Sequence, residues 1–202
     1  MSTTTSTRAS AARERIVETA FSLFYARGIR AVGVDLIIAE SGVAKATFYK
    51  HFPSKDDLVV AYLDRVDDVW TAQLKQAATA AGDAPAVQLV GLFDALGTAC
   101  RRDGYRGCAF INAAAESQPG TPVHDRTVAH KTAVLSWVSD LATQAGARDP
   151  GGLARSLTLL LDGGLASGSL DASPEAPRVA RECADALVSA ALAGRPSPAA
   201  GR

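Results

Sequence analysis

Apolar and polar residues recur with helical spacing along most of the chain, and the first apolar stripe lies between Ser10 and Gly28. A Ser before such a stripe and a Gly after it are typical N-terminal and C-terminal signals of a helix, so we predict the first helix between them. Residues 1–9 are rich in Ser and Thr without an apolar period, and we expect a disordered tail there. The stripe consists of Ile16, Val17, Ala20, Phe21, Leu23 and Phe24.

Two short helices are predicted next. Residues 34–38 form a short apolar face that Ser41–Gly42 interrupts, and Val43 restarts a second helix that ends before Pro53. Two short helices joined by a glycine-centred turn are typical of a helix-turn-helix.

Longer helices are predicted for the rest of the chain. Ser54, with Asp57 three residues later, has the pattern of a capping box, which would open a long helix reaching about Ala80. Asp149 followed by Pro150 marks another helix start. Segments rich in Gly, Pro and Asp separate the further predicted helices, which cover roughly 85–101, 108–116, 122–145, 150–170 and 175–193.

These elements predict an all-α protein. A three-helix helix-turn-helix domain would cover residues 10–55, and a larger helical domain residues 56–194. The Pro-, Ser- and Gly-rich residues 195–202 are expected to form a flexible tail.

Composition narrows the class of protein. Of the 202 residues, 48% are apolar and 21% charged, which permits a buried core and excludes disorder throughout. The three cysteines, Cys100, Cys108 and Cys183, are odd in number and lack metal-ligand spacing, so we expect reduced thiols in a cytoplasmic protein without a disulfide, a metal or another cofactor. No apolar stretch is long enough for a membrane span.

The charge is balanced overall but uneven along the chain. With 21 basic and 21 acidic residues, the net charge of zero argues by itself against a nucleic-acid partner. Residues 1–55, however, contain eight Lys/Arg and four Asp/Glu, whereas residues 56–202 contain 13 and 17. A net charge of +4 on the helix-turn-helix segment and −4 on the remainder indicates a phosphate-facing end on an acidic body.

The basic segment resembles the TetR family of bacterial transcriptional regulators. The resemblance extends over about 45 residues and rests on the order of several motifs. They are Gly28 after the first helix, Asp35 with Ile37 and Ile38, Ser41-Gly42-Val43, Lys45-Ala46-Thr47-Phe48-Tyr49, His51-Phe52 and Ser54-Lys55-Asp56-Asp57-Leu58.

The resemblance implies a DNA-binding domain followed by a helical ligand-binding and dimerisation domain. Two positions depart from the family pattern, since Gly33 and Ala44 stand where Ser or Thr often caps the second and third helices. Gly is an acceptable N-cap, whereas Ala44 offers the first N–H groups of the recognition helix no side-chain acceptor.

The candidate DNA-binding residues lie on the recognition helix and just after it. Its N-terminal residues would approach base edges in the major groove, where Lys45 can donate to guanine and Thr47 can contact thymine or phosphate, with Ala46 between them. Further residues are expected to contact phosphates, and the resemblance supports this for all of them except Lys50. They are Tyr49, Lys50, His51 and Lys55.

Less specific interpretations of these side chains stay open. Lys50 and Lys55 could be ordinary solvated lysines, Tyr49 an exposed aromatic without a partner, and His51 a capping residue. Phe48 and Phe52 are expected in the core, packing the recognition helix against the first helix.

The resemblance also implies that the last two helices of each subunit form the dimer interface as a four-helix bundle. Burial inside one subunit would satisfy the same apolar faces equally well. The residues expected at the interface are Leu157, Leu161, Gly164, Leu165, Gly168, Val179, Cys183 and Leu187.

The implied ligand pocket would be mostly apolar and would take an apolar or amphipathic small molecule. Asn112 is its most suggestive residue because a buried amide must find partners, while Asp162 is interpreted as a polar contact in the helix bundle rather than a ligand contact. His124 and His130 lie on different helix faces, so no metal site is expected. The candidate lining residues, each of which could equally be core, are Phe110, Asn112, Trp137 and Leu161.

The sequence therefore predicts a ligand-responsive transcriptional regulator. By family analogy it would be a repressor that binds a near-palindromic operator as a homodimer and releases it on binding a small molecule. An all-helical enzyme is one alternative, but catalytic motifs are absent and nothing in the sequence would activate Glu116 or Cys108, so no catalytic residue is expected. The other alternative is an adaptor whose C-terminal helices bind only proteins.

Overall fold

The computed structural model describes residues 3–171 and 175–193, and this part of the chain contains ten α-helices and no strand. The predicted all-α class is therefore confirmed. The helices are α1 (Thr3–Arg27), α2 (Val34–Ser41), α3 (Lys45–His51), α4 (Lys55–Ala81), α5 (Pro85–Gly91), α6 (Phe93–Cys100), α7 (Ala109–Glu116), α8 (Pro122–Gln144), α9 (Pro150–Asp171) and α10 (Glu175–Leu192).

The predicted bounds of α7 to α10 are confirmed to within one residue, but two others need correction. α1 begins at Thr3, so residues 3–9 are helical rather than a disordered tail, because adding a turn to an existing helix is far easier than starting one. The predicted helix 85–101 is interrupted at Leu92, whose carbonyl accepts from Ala95 N at 3.2 Å in a tighter turn. The tail predicted for residues 195–202 lies outside the described residues.

Two predicted helix starts are confirmed by their hydrogen bonds. Ser54 N donates to Asp57 Oδ2 at 2.9 Å and Asp57 N donates to Ser54 Oγ at 3.1 Å, which is the reciprocal capping box. Before α9, Gly152 N donates to Asp149 Oδ1 at 2.9 Å. These caps fix the first residues of α4 and α9 through local chemistry alone.

Substituting Ser54 by Ala should lower the free energy of unfolding by about 1 kcal/mol, because one orphan N–H at the start of α4 loses its acceptor. Urea denaturation should show a lower midpoint with an unchanged slope. The matched control is Ser136→Ala, an exposed position inside α8, which should leave the midpoint unchanged or raise it slightly. Equal midpoints for the two variants would contradict the capping role.

Backbone contacts divide the chain into two compact units that do not follow the predicted boundary after residue 55. One unit contains the chain up to Trp70 together with Cys108–His130, and the other contains Thr71–Gly107 together with the chain from Lys131 onward. The helix-turn-helix therefore shares its unit with the first part of α4, with α7 and with the first part of α8.

The first unit is built around aromatic packing between α1 and α4. Tyr62 of α4 meets Phe21 and Phe24 of α1 edge to face, with ring centroids 5.9 and 5.6 Å apart. Tyr62 is almost fully buried, and that burial raises the pKa of its hydroxyl well above the usual value. These contacts hold α4, which follows the recognition helix, against α1.

The second unit depends on close approach of α9 to its neighbours α6 and α10. A Cβ at Gly164 would lie 2.5 Å from Leu96 Cδ2, and one at Gly168 would lie 2.5 Å from Cys100 Sγ. A side chain at either position would therefore force the side chain of Leu96 or Cys100 to move. Within the described ranges, no helix is long and apolar enough to cross a membrane.

Candidate nucleic-acid interface

The recognition helix α3 is held in place by two buried aromatic side chains. Phe48 is fully buried and Phe52 is 2% exposed, with their ring centroids 6.0 Å apart, and α3 packs against α1. The prediction that both are core residues is confirmed. Gly42, with φ of 64° in the left-handed region, makes the turn between α2 and α3, where its N–H donates to Ala39 O at 3.3 Å.

The opposite face of α3 is open to solvent and carries no acidic side chain. Lys45, Ala46, Tyr49 and Lys50 are exposed, while Thr47 and His51 are half-buried. The structure thus brings six of the seven predicted DNA-binding residues onto one short helix. As expected from the sequence, Ala44 provides no side-chain cap for this helix.

Lys45 is paired with an acidic residue of the preceding helix. Its Nζ lies 3.1 Å from Asp35 Oδ1, and this hydrogen bond, together with the charge of Asp35, raises the pKa of Lys45. Both side chains are mostly exposed, so the pair adds little to stability. Its effect is to place the ammonium group at the start of α3. The two residues are ten positions apart on different helices, and no sequence signal indicated their pairing.

Tyr49 is exposed, but one side of its ring has a packing contact. The ring packs edge-on against Phe48 with centroids 5.3 Å apart, while 45% of the residue remains exposed. A ring fixed on one side and open on the other is suited to present its hydroxyl to a partner at the surface.

Lys55, the seventh predicted residue, opens α4 and has an internal contact. Its Nζ donates to Ile29 O at 2.6 Å and lies 5.9 Å from the centroid of the Phe24 ring. Partial burial lowers the pKa of this ammonium group. Since an ammonium has three donors, a phosphate contact would be additional to the bond with Ile29.

Arg13 of α1 adds a charge that the sequence reasoning did not select. Its guanidinium lies 5.3 Å from the centroid of the Phe52 ring, and its side chain is exposed. The arginine thus lies beside the C-terminal end of α3, next to the predicted phosphate-contacting residues.

Comparison with known proteins matches this arrangement to a family. A sequence profile described as "Bacterial regulatory proteins, tetR family" matches residues 16–62, which contain the helix-turn-helix. The fold is similar to that of SCO4454, a TetR-family transcriptional regulator from Streptomyces coelicolor, with 38% sequence identity and a TM-score of 0.83. The superposition covers 91% of this chain and 97% of that protein.

The chain belongs to the TetR family.

Other relatives agree with this membership. The chain is 25% identical over 155 residues to the HTH-type transcriptional regulator YjdC of Escherichia coli, covering 75% of this chain and 80% of that protein. A putative TetR-type regulator from Streptomyces avermitilis has a TM-score of 0.79 and 26% identity, covering 89% of this chain and 97% of that one. This TetR-family protein is therefore a DNA-binding transcriptional regulator, and its relatives and fold are those of regulators rather than enzymes.

The residues predicted at the dimer interface of this TetR-family regulator fall on two different faces of its last helices. Val179, Cys183 and Leu187 of α10 are exposed, and the other five are buried against the rest of the same subunit. The dimer interface itself stays a prediction. In α9, apolar residues lie on the inward and the outward face, so the sequence pattern does not show which face is exposed. The five buried residues are Leu157, Leu161, Gly164, Leu165 and Gly168.

The outward face of α9 is apolar as well and adjoins the exposed side of α10. Leu159 is 76% exposed, and it lies with Leu160 and Gly163 along a groove whose other side is formed by Val179 and Leu187. We call this surface the α9/α10 groove. An exposed leucine that lines such a groove marks an interaction surface better than the buried positions do.

The candidate pocket residues are divided between the two units of the TetR-family chain. Phe110 and Asn112 belong to the first unit and Trp137 and Leu161 to the second. Asn112 is exposed rather than a buried amide, because α7 turns Ala109, Phe110 and Ala113 inward instead. Phe110 and Leu161 are buried and Trp137 is half-buried.

Phe110 belongs to a polar cluster that the sequence did not indicate. Its ring stacks on His130 with centroids 3.6 Å apart, and His130 Nδ1 lies 2.7 Å from Asp67 Oδ1. Arg126 donates to both Asp64 and Asp67 at 2.6 Å. These contacts join α8 to α4 within the first unit. In the second unit, Asp162 pairs with Lys131, which confirms its interpretation as a polar contact in the helix bundle.

Proposed function

We propose that this regulator is a homodimeric repressor that binds a near-palindromic operator and releases it when a small molecule binds the C-terminal helices. The observation that carries the proposal is the asymmetry of α3. One side is anchored by Phe48 and Phe52, and the other presents basic side chains without an acidic neighbour on the same helix. A rigid helix with one basic, exposed face is the form required for insertion into the major groove.

Base recognition is assigned to the start of α3. Lys45 would exchange its bond to Asp35 for the acceptors of a guanine, and Thr47 would contact the methyl group of a thymine or a phosphate. The small side chain of Ala46 allows the backbone to approach the groove. Tyr49, Lys50, His51 and Lys55 would bind phosphates, which positions the helix without reading the sequence.

A second copy of the chain is assigned to the α9/α10 groove. Leu159, Val179 and Leu187 are exposed apolar side chains on adjacent helices, which supports burial against an identical surface related by a twofold axis. Such a dimer carries two recognition helices, and two equal half-sites make the operator near-palindromic. Gly163 and Cys183 are exposed along the groove, and their small size allows the helices of the partner to approach closely.

The effector is proposed to be an apolar or amphipathic small molecule with contacts from the C-terminal helices. Trp137 and Leu161, which belong to the same unit, remain its candidate contacts. The effector can weaken operator binding only if it binds the conformation that does not fit the operator more tightly than the conformation that does.

Replacing Lys45 by Ala should lower operator affinity about tenfold to a hundredfold, because a base contact is lost. The operator is obtained by sequencing the genomic fragments that the purified protein retains, and affinity is measured by mobility-shift titration over a range of salt concentrations. The affinity of the wild type should fall steeply as salt is added. In a plot of log affinity against log salt concentration, each neutralised phosphate contributes roughly −0.9 to the slope.

The matched control for this prediction is Lys75→Ala, which removes the same charge from an exposed position of α4. Its operator affinity should equal that of the wild type. If Lys45→Ala and Lys75→Ala have the same affinity, the groove assignment is wrong. If the wild type retains no specific fragment, the DNA-binding proposal itself fails.

A further inference from the structure

The loop between α1 and α2 is held by a residue almost ninety positions away. Ile29 N and Arg30 N donate to Glu116 Oε1 and Oε2 at 3.2 and 2.6 Å, and Arg30 Nε donates to the Glu116 carbonyl at 3.3 Å. Two successive backbone N–H groups directed at one carboxylate form the kind of concavity that proteins use to bind anions. Here the anion is a side chain of the same subunit.

The fit around this carboxylate is close. Gly28 adopts φ of 87°, in the left-handed region, and a Cβ placed there would lie 3.2 Å from Glu116 Oε1. On the same loop, Lys55 Nζ donates to the Ile29 carbonyl at 2.6 Å. The peptide groups around Ile29 are thus bound through their N–H side by α7 and through their carbonyl side by α4.

Both ends of this connection are firmly attached. Glu116 is the last residue of α7, a helix whose Ala109, Phe110 and Ala113 are buried. The loop leads within four residues into α2, which packs against α1 and precedes the recognition helix. Hydrogen bonds to a charged acceptor are about twice as strong as neutral ones. A displacement of α7 would therefore move the loop with it.

We propose that Glu116 is a positioning residue that sets the orientation of the DNA-reading head on α7, and thereby the spacing at which a dimer presents its two recognition helices. This inference rests on the proposed dimeric operator binding. Glu116 touches no base in this scheme and acts only through the Ile29–Arg30 loop.

The spacing of operator half-sites provides a direct test. Affinities of the full-length protein are measured for the selected operator and for the same operator with a single base pair added at its centre. The wild type should prefer the original spacing strongly, because the added base pair rotates one half-site about the helix axis. In Glu116→Ala that preference should fall by about tenfold, since the helix-turn-helix of each subunit is no longer held in one orientation on α7. Glu116→Gln, which keeps the length and one acceptor oxygen, should give an intermediate ratio.

The ratio of the two affinities separates positioning from stability, because a partly unfolded protein loses both affinities equally. The matched control is Glu18→Ala, which removes an exposed carboxylate from α1 and should keep the wild-type ratio. An unchanged ratio in Glu116→Ala, or a wild type that tolerates the added base pair, overturns the inference. Should Glu116→Ala fail to fold, Glu116→Gln decides by the same ratio. Absence of any specific DNA binding by the wild type would instead refute the proposed function.

Discussion

Substituting Leu159 by Arg should convert the proposed dimer into a monomer and lower operator affinity by at least about a hundredfold, since a monomer binds only one half-site. Leu159 is 76% exposed in the single subunit and lines the α9/α10 groove together with Val179 and Leu187. A guanidinium enclosed there without an acidic partner would be strongly unfavourable in the dimer. In the monomer it would remain in water, so the subunit should fold normally.

Sedimentation or light scattering should show the change in mass, and far-ultraviolet circular dichroism should show unchanged helix content. The matched control is Val87→Arg, which places the same charge at another exposed apolar residue of the same unit, on α5 and outside the groove. That variant should remain a dimer. A dimeric Leu159→Arg protein would show that the subunits associate through a different surface.

Phe48→Ala should have the largest effect on stability, lowering the free energy of unfolding by about 3–5 kcal/mol. Phe48 is fully buried and contacts the rings of both Tyr49 and Phe52, so truncation leaves a cavity beneath the recognition helix. Total domain stabilities are typically only about 5–15 kcal/mol, and operator binding should therefore be lost together with the fold of the head.

Tyr49→Ala is the matched comparison for this variant, since it removes the neighbouring aromatic ring from the exposed face. It should change the urea midpoint by much less while still weakening operator binding through the lost phosphate contact. Similar losses of stability in the two variants would contradict the division of α3 into a buried and a DNA-facing side.

The head could be predicted closely because its signals are local. The capping box of Ser54 and Asp57, the turn at Gly42 and the end of α3 before Pro53 each depend on residues a few positions apart. Local chemistry of this kind can be recognised in the sequence before any tertiary contact is known.

The C-terminal surfaces could not be predicted in the same way. In α9, leucines occupy positions facing inward, such as Leu157, and outward, such as Leu159, so the helical period does not distinguish core from interface. The bonds from Glu116 to Ile29 and Arg30 span 87 and 86 positions, and they depend on the path of several intervening helices. Periodicity contains no information about such contacts.

The ion pair between Lys45 and Asp35 has a consequence for the search along a genome. Random DNA attracts the protein through phosphates alone, and there the carboxylate of Asp35 offsets the charge of Lys45 and repels the backbone. A guanine placed opposite Lys45 adds the acceptors N7 and O6, which other bases do not present together in the major groove. With Lys45 in its proposed base contact, the pair would weaken binding to unrelated sequences more than binding to the operator, which would shorten residence at wrong sites.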